Sequence, residues 1–255
     1  MQDIGPIGIA LDWTFTNFAL ATLIVAIGAL LQAASGLGAG LIIVPLLTAV
    51  LSTELVPGPT IFGSLALSAV MSIGGRRQID FTMTRSVLTG IVIGTIAAAW
   101  FIANVPANSL GLVFGVGVLV AVVVSLRVPR FSLNRSGTLA AGTFAGLLGT
   151  AAGIGAPVLA LLYQHHPGPA LRATLAYLYF VSSVVALVSL NFAGRFGAQE
   201  FVSGCYLAPG FVIGYFLSPR LAAFVDKGYA RPLVFVVASA SACFLIWRSL
   251  SQTLG

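Results

Sequence analysis

The stretch Ser35-Gly-Leu-Gly-Ala-Gly40 places glycines at 36, 38 and 40, and Ala152-Gly-Ile-Gly-Ala-Pro157 places them at 153 and 155 with a proline at 157. Alternating glycines break a helix, tolerate positive φ and let a ligand approach the backbone with no Cβ in the way. A helix that starts after such a break directs free N–H groups and its positive dipole end at whatever lies in front, which suits an anion. Pro157 fits the first turn of that helix, where its missing N–H has no partner to lose. Gln32, Ser35 and Thr150 stand within a turn of the glycines and carry hydrogen-bond donors for an oxyanion. Thr60 and Ser64, and Thr174 and Tyr177, occupy the following segments and form a second rank. The expected binding set is therefore Gln32, Ser35, Gly36, Gly38, Gly40, Thr60, Ser64, Thr150, Gly153, Gly155, Pro157, Thr174 and Tyr177. Close helix packing is the other use of such glycines; repetition of the pattern and the proline favour a pocket.

What must position these groups is set by composition. Of 255 residues, 58% are hydrophobic and 7% charged, and the mean hydropathy is +1.06, which places the chain among integral membrane proteins. The apolar residues come in blocks too long for the alternating strands of a barrel, so the fold class is all-α. Ten segments are expected, at about 16–35, 40–52, 59–73, 84–103, 109–126, 137–149, 156–164, 173–191, 200–218 and 232–250. A span needs about twenty residues, and 40–52, 137–149 and 156–164 fall short of it. These short segments flank the two glycine breaks. Asp3 and Asp12 precede the first block where a cleavable signal would carry positive charge, so no removable leader is expected.

The chain echoes itself. Ser35-Gly-Leu-Gly-Ala matches Ala152-Gly-Ile-Gly-Ala, and Asp80-Phe81 with Gly90 and Gly94 matches Glu200-Phe201 with Gly210 and Gly214. Two matches at nearly equal offsets indicate two repeats, 16–126 and 138–250, joined by a basic cytoplasmic linker at 127–137 and preceded by an extracytoplasmic segment at 1–15. Five segments in each repeat place the second upside down relative to the first. Inverted-topology repeats of this kind bring interrupted helices together near the bilayer midplane, where transported solutes bind.

Charge supports that orientation. Ten of the twelve basic residues fall in loops that one topology puts inside, and only Arg195 and Arg248 fall outside. The net charge of +6 is thus a matter of topology, and no nucleic acid partner is expected. Glu54, Asp80, Glu200 and Asp226 sit at segment ends or in loops, so no carboxylate marks a proton path at depth. His165-His166 beside Pro167 reads as a loop dipeptide, and Arg172 as a positive-inside anchor. Cys205 and Cys243 form no C-x-x-C and read as packing residues, with no metal or cofactor implied.

The glycine break running to Pro45, its echo from Gly142 through Gly149 to Gly153-Ile-Gly-Ala-Pro157, and the Asp80-Phe81 and Glu200-Phe201 starts resemble the TauE/SafE, or sulfite exporter, family. The second break departs from the family pattern: Ala151, Ala152 and Ala156 fill glycine-type positions, and Leu162 stands where the first repeat has Pro45. The resemblance implies a multi-pass permease of the bacterial inner membrane that exports sulfite, sulfoacetate or related organosulfonates. Its expected partners are that anion, the lipid bilayer and, as an option left open, a second copy in a homodimer. Export driven by the membrane potential and both termini extracytoplasmic complete the expectation. A channel for anions or small solutes shares the broken-helix geometry. An intramembrane enzyme is the least favoured alternative, because the sequence has no H-E-x-x-H, no G-x-S-x-G and no mid-span aspartate.

Overall fold

The computed structural model describes residues 13–36, 38–51, 55–81, 84–106, 109–127, 134–152, 155, 158–159, 162–163, 168–225, 236, 239–240, 242–244 and 246–247. Eight helices are delimited among them: α1 (Phe15–Ser35), α2 (Gly40–Val50), α3 (Gly58–Gly74), α4 (Thr84–Asn104), α5 (Leu110–Arg127), α6 (Arg135–Ala152), α7 (Gly168–Phe192) and α8 (Ala198–Val225). A 3-10 turn at Arg76–Gln78 follows α3, and the described residues contain no strand. The protein is thus all-helical. Helices α1, α4, α7 and the first 23 residues of α8 are long and apolar enough to cross a membrane, and α2 and α3 are shorter apolar helices.

Local sequence explains where these helices stop and start. The Thr14 hydroxyl accepts from the Asn17 N–H at 3.3 Å and caps α1. Gly36, at φ 76°, ends α1 in the left-handed region, with its N–H donating to Gln32 O. The Gly197 N–H donates to Glu200 Oε2 at 2.7 Å, so the second acidic residue of the repeat pattern serves the start of α8. Three segments differ from the sequence reading, one of them expected at 173–191 and observed as the 25-residue α7 from Gly168 to Phe192. The segment expected at 137–149 is an 18-residue helix, because Thr150, Ala151 and Ala152 continue it past Gly149. The segment expected at 200–218 runs for 28 residues through Pro209 and Pro219. The first break also follows a 21-residue α1, which rises about 31 Å and matches the hydrocarbon thickness, so α2 is the short arm of that break.

Glycine decides how the helices pair. A Cβ on Gly90 would fall on Leu139 O, and one on Gly94 would fall on Thr143 O and 2.8 Å from Leu147 N. Gly142 and Gly146 return the contact at Val87 O and Ile91 O, so α4 and α6 run parallel with their backbones touching. The same arrangement joins α8 to α1. A Cβ on Gly210 would lie 2.7 Å from Thr22 O, and one on Gly214 would fall on Ala26 O and 2.7 Å from Leu30 N. Leu139, Thr143 and Leu147 each stand 117 positions after Thr22, Ala26 and Leu30, and Gly210 and Gly214 stand 120 after Gly90 and Gly94. Helix α3 lies antiparallel to α7, with Gly75 against Ala173 at one end and Gly58 against Arg195 O and Phe196 at the other.

Side chains sort accordingly. Leu41, Val87, Ile91, Ala145, Leu159, Leu175 and Leu178 share one buried cluster. Phe15, Trp100, Phe192 and Phe216 are exposed on the outside, as a hydrocarbon solvent permits. Cys205 and Cys243 are exposed as well and do not pack in the interior as their apolar neighbours suggested.

A cavity between the two glycine breaks

The structure places a cavity of about 80 Å³ where the two breaks approach each other. Gln32, Gly38, Gly40, Thr60, Ser64 and Gly155 of the expected set line it. Ala39, Gly149, Ile91, Tyr179, Ser182, Ser183 and Phe211 complete most of the wall. Gly149 and Gly155 pack on each other, with Gly149 leaving 3.6 Å from an ideal Cβ to the Gly155 backbone. A Cβ on Gly155 would press on Ala145 O, so this glycine is needed for packing as well as for lining.

Gln32 is the polar centre of the wall. It lies in the last turn of α1 and is 1% exposed. Its Oε1 accepts from the Ala39 N–H at 2.8 Å, which satisfies a donor that the unwound backbone would otherwise leave bare. Its Nε2 is buried with no hydrogen-bond partner while the residue faces the cavity. A buried amide donor without an acceptor costs about 1–3 kcal/mol, so an oxygen arriving in the cavity finds a group ready to receive it.

Helix α7 holds the break from the other half of the chain. Arg172 Nη1 donates to Ala34 O at 3.2 Å, and the Tyr179 hydroxyl donates to Gly36 O at 2.9 Å. Between them Leu175 lies 3.1 Å from where a Cβ on Gly36 would stand. Positions 172, 175 and 179 form one stripe of a helix. The stripe satisfies carbonyls at the end of α1 that have no partner within their own helix. Arg172 is therefore more than a topological anchor, since its guanidinium bonds the end of α1.

The other expected residues go elsewhere. Ser35 Oγ donates to Leu31 O at 2.6 Å along its own helix, and Gly36 serves as the cap under α7. Thr150 is buried in α6 with its hydroxyl unpartnered, outside the lining. Thr174 Oγ1 accepts from the Asp80 N–H at 3.0 Å, and the Tyr177 ring meets Phe81 edge-on at 5.6 Å. Thr84 donates to Asp80 O, so the Asp80-Phe81 corner is fastened to α7 and α4 and is not part of the cavity. Gly153, Pro157, His165, His166, Glu54 and Asp226 lie outside the described residues.

Tyr179, Ser182, Ser183 and Phe211 were not legible as site residues, yet a signal for Tyr179, Ser183 and Phe211 existed. Gly75-Arg76 and Gly194-Arg195 close α3 and α7 at an offset of 119, and that offset carries Thr60 onto Tyr179 and Ser64 onto Ser183. An offset of 120 carries Ile91 onto Phe211, and 117 carries Gln32 onto Gly149 and Gly38 onto Gly155. The wall is therefore built largely from matching positions of the two halves.

Residues 20–245, nearly the whole chain, match the family model described as Sulfite exporter TauE/SafE. No curated protein and no solved structure matches the chain.

Proposed function

Because the chain belongs to the sulfite exporter TauE/SafE family, a family of membrane transporters, we propose that this multi-pass membrane protein exports sulfite and similarly small sulfur oxyanions through the cavity between its glycine breaks. The observation that carries this reading is the buried, unpartnered Gln32 Nε2 facing a cavity of about 80 Å³. A polar cavity needs only about 10–15 Å³ of such space to hold one water, so this one has room for a small oxyanion. Gln32 and the hydroxyls of Ser64, Ser182 and Ser183 supply neutral donors for an anion, while the Thr60 hydroxyl donates to Pro57 O at 2.8 Å and only lines the wall. The role is transport, with no catalytic step assigned to any residue.

Export is potential-driven in this reading. Among the described residues the two carboxylates stand at the starts of helices, Asp80 ahead of α4 and Glu200 in the first turn of α8, where neither shuttles protons through the cavity. A potential negative inside moves each unit of negative charge outward with roughly 2.3 kcal/mol per 100 mV, so a dianion gains about 4.6 kcal/mol. In proteoliposomes with a clamped potential, sulfite flux should reverse direction with the sign of the potential and saturate with concentration as a carrier does. A methanesulfonate flux that follows an imposed pH gradient at zero potential would show proton coupling and end the uniport reading; flux linear in concentration would favour a channel.

The repeats supply the architecture. Matched glycine contacts of α4 on α6 and of α8 on α1, and the antiparallel pairing of α3 with α7, support two inverted halves at 16–126 and 138–250 about an axis through the cavity. We place the site near the midplane, with Gly36 held by Arg172, Leu175 and Tyr179 of α7. We place the protein in the bacterial inner membrane with both termini outside and the 127–137 linker inside. Cysteines introduced at position 80 should then label from the cytoplasmic side and at position 200 from the outside; labelling of both from one side overturns the inverted arrangement.

A further inference from the structure

A second cavity of about 220 Å³ opens between α3 and α8, bounded by Phe62, Ala66, Val70, Val212 and Phe216. Val70, Val212 and Phe216 are 49%, 52% and 70% exposed, so this apolar groove faces outward into the hydrocarbon. Phe211 belongs to the walls of both cavities and is 4% exposed. Its ring covers Gly63, where a Cβ would fall on the ring atoms, so the glycine makes room for the phenyl group. This ring thus borders both a small cavity that holds the Gln32 amide in a largely apolar wall and a larger, almost wholly apolar groove.

We propose that Phe211 sets the upper size limit of the transported anion by closing the central cavity against this lateral groove. The inference rests on the central cavity being the transport site. An anion whose charged head meets the donors around Gln32 has nowhere to place an alkyl tail while the phenyl ring stands between the cavities. With the ring removed, the tail enters a groove whose lining matches it chemically, since burying apolar surface is favourable. Ile91, at the matching position of the other half, lines the central cavity and is not among the residues that line this lateral groove. The size filter is therefore assigned to Phe211, which lines both cavities and whose ring is received by Gly63.

The test compares uptake of sulfite, methanesulfonate and butanesulfonate in proteoliposomes holding wild type, Phe211→Ala or Phe211→Leu, each checked for monodispersity. The wild type should move sulfite and leave butanesulfonate at background. Phe211→Ala should raise the butanesulfonate-to-sulfite ratio at least tenfold whatever the change in sulfite flux itself, and Phe211→Leu should give an intermediate ratio. The ratio distinguishes a filter from a mere loss of folded protein, which lowers both fluxes together. Phe211→Leu keeps the test decisive where the alanine variant does not form a monodisperse protein. An unchanged ratio in variants that still move sulfite overturns the proposal, as does a wild type that moves butanesulfonate as readily as sulfite, or monodisperse variants that move neither. A wild type that moves none of the three anions overturns the site assignment itself.

Discussion

Gly94→Val and Gly214→Val are each expected to abolish the monodisperse folded protein, and to do so to a similar degree. The Cβ of either variant would lie on a backbone carbonyl, Thr143 O or Ala26 O, with a backbone nitrogen of the next turn 2.8 or 2.7 Å away. A backbone atom in a helix has no rotamer by which to yield, so the helices must separate along their whole contact. Overpacking a core costs about 1–3 kcal/mol where side chains can rearrange, and a rigid backbone contact puts these variants at or beyond the upper end. The loss spreads because Gly90, Gly142 and Gly146 share the same seam on one side and Gly210 on the other. Gly74→Ala is the control, since nothing lies within 4 Å of its Cβ position and alanine favours a helix over glycine. Detergent-solubilised variants assayed by size-exclusion and thermal melting provide the measurement. Equal damage at Gly94 and Gly214 is what two equivalent seams require; a Gly214 variant as stable as Gly74→Ala would show that the two halves are not held in the same way.

Gln32→Glu is expected to reduce sulfite transport by about 10- to 100-fold, and Gln32→Leu by a comparable factor, without removing the protein from the membrane. The carboxamide has two tasks: its oxygen accepts from Ala39 N–H, and its nitrogen is an unpartnered donor. A hydrogen bond to a charged group contributes about 1.5–3 kcal/mol, and every ~1.4 kcal/mol is tenfold. Glutamate keeps the acceptor for Ala39, loses the donor and adds a negative charge to a buried wall. Leucine loses both tasks. The pair separates binding from support of the break. Should Gln32→Glu transport at the wild-type rate while Gln32→Leu melts at a lower temperature, Gln32 serves the break alone and the anion is held elsewhere. Flux normalised to the amount of folded protein, together with a melting curve for each variant, gives the answer.

The relation of these two experiments follows from how the residues are distributed. The glycine seams lie on α1, α4, α6 and α8, of which α1 also supplies Gln32 and α8 supplies Phe211 to the cavity. The other polar cavity groups come from the break after α1, from α3 and from α7. Damage to a seam should therefore act on folding, and damage to a cavity group on flux at unchanged folding.

The sequence by itself determined the membrane class, the all-helical fold, the family and the position of the breaks. Each of these depends on local or periodic chemistry: long apolar blocks that only helices can satisfy in lipid, a glycine that must take positive φ at 36, and spacing that recurs between halves. It also singled out Gln32, Gly38, Gly40, Thr60, Ser64 and Gly155, which the structure brings to one cavity. Tertiary structure alone decided that Gly90, Gly94, Gly210 and Gly214 are seams, because a glycine's contact partner lies on another helix and leaves no mark beside it in the chain. It assigned Thr174 and Tyr177 to the Asp80-Phe81 corner and gave their expected place to Tyr179 and Ser183, one or two turns further along α7. Which turn of a helix faces a cavity depends on how deeply the helix is inserted against its neighbours, and uniformly apolar helices carry little periodicity from which to infer it. The junction of the two cavities at Phe211 is likewise a property of packing, since it exists only where α3 offers Gly63 to receive the ring.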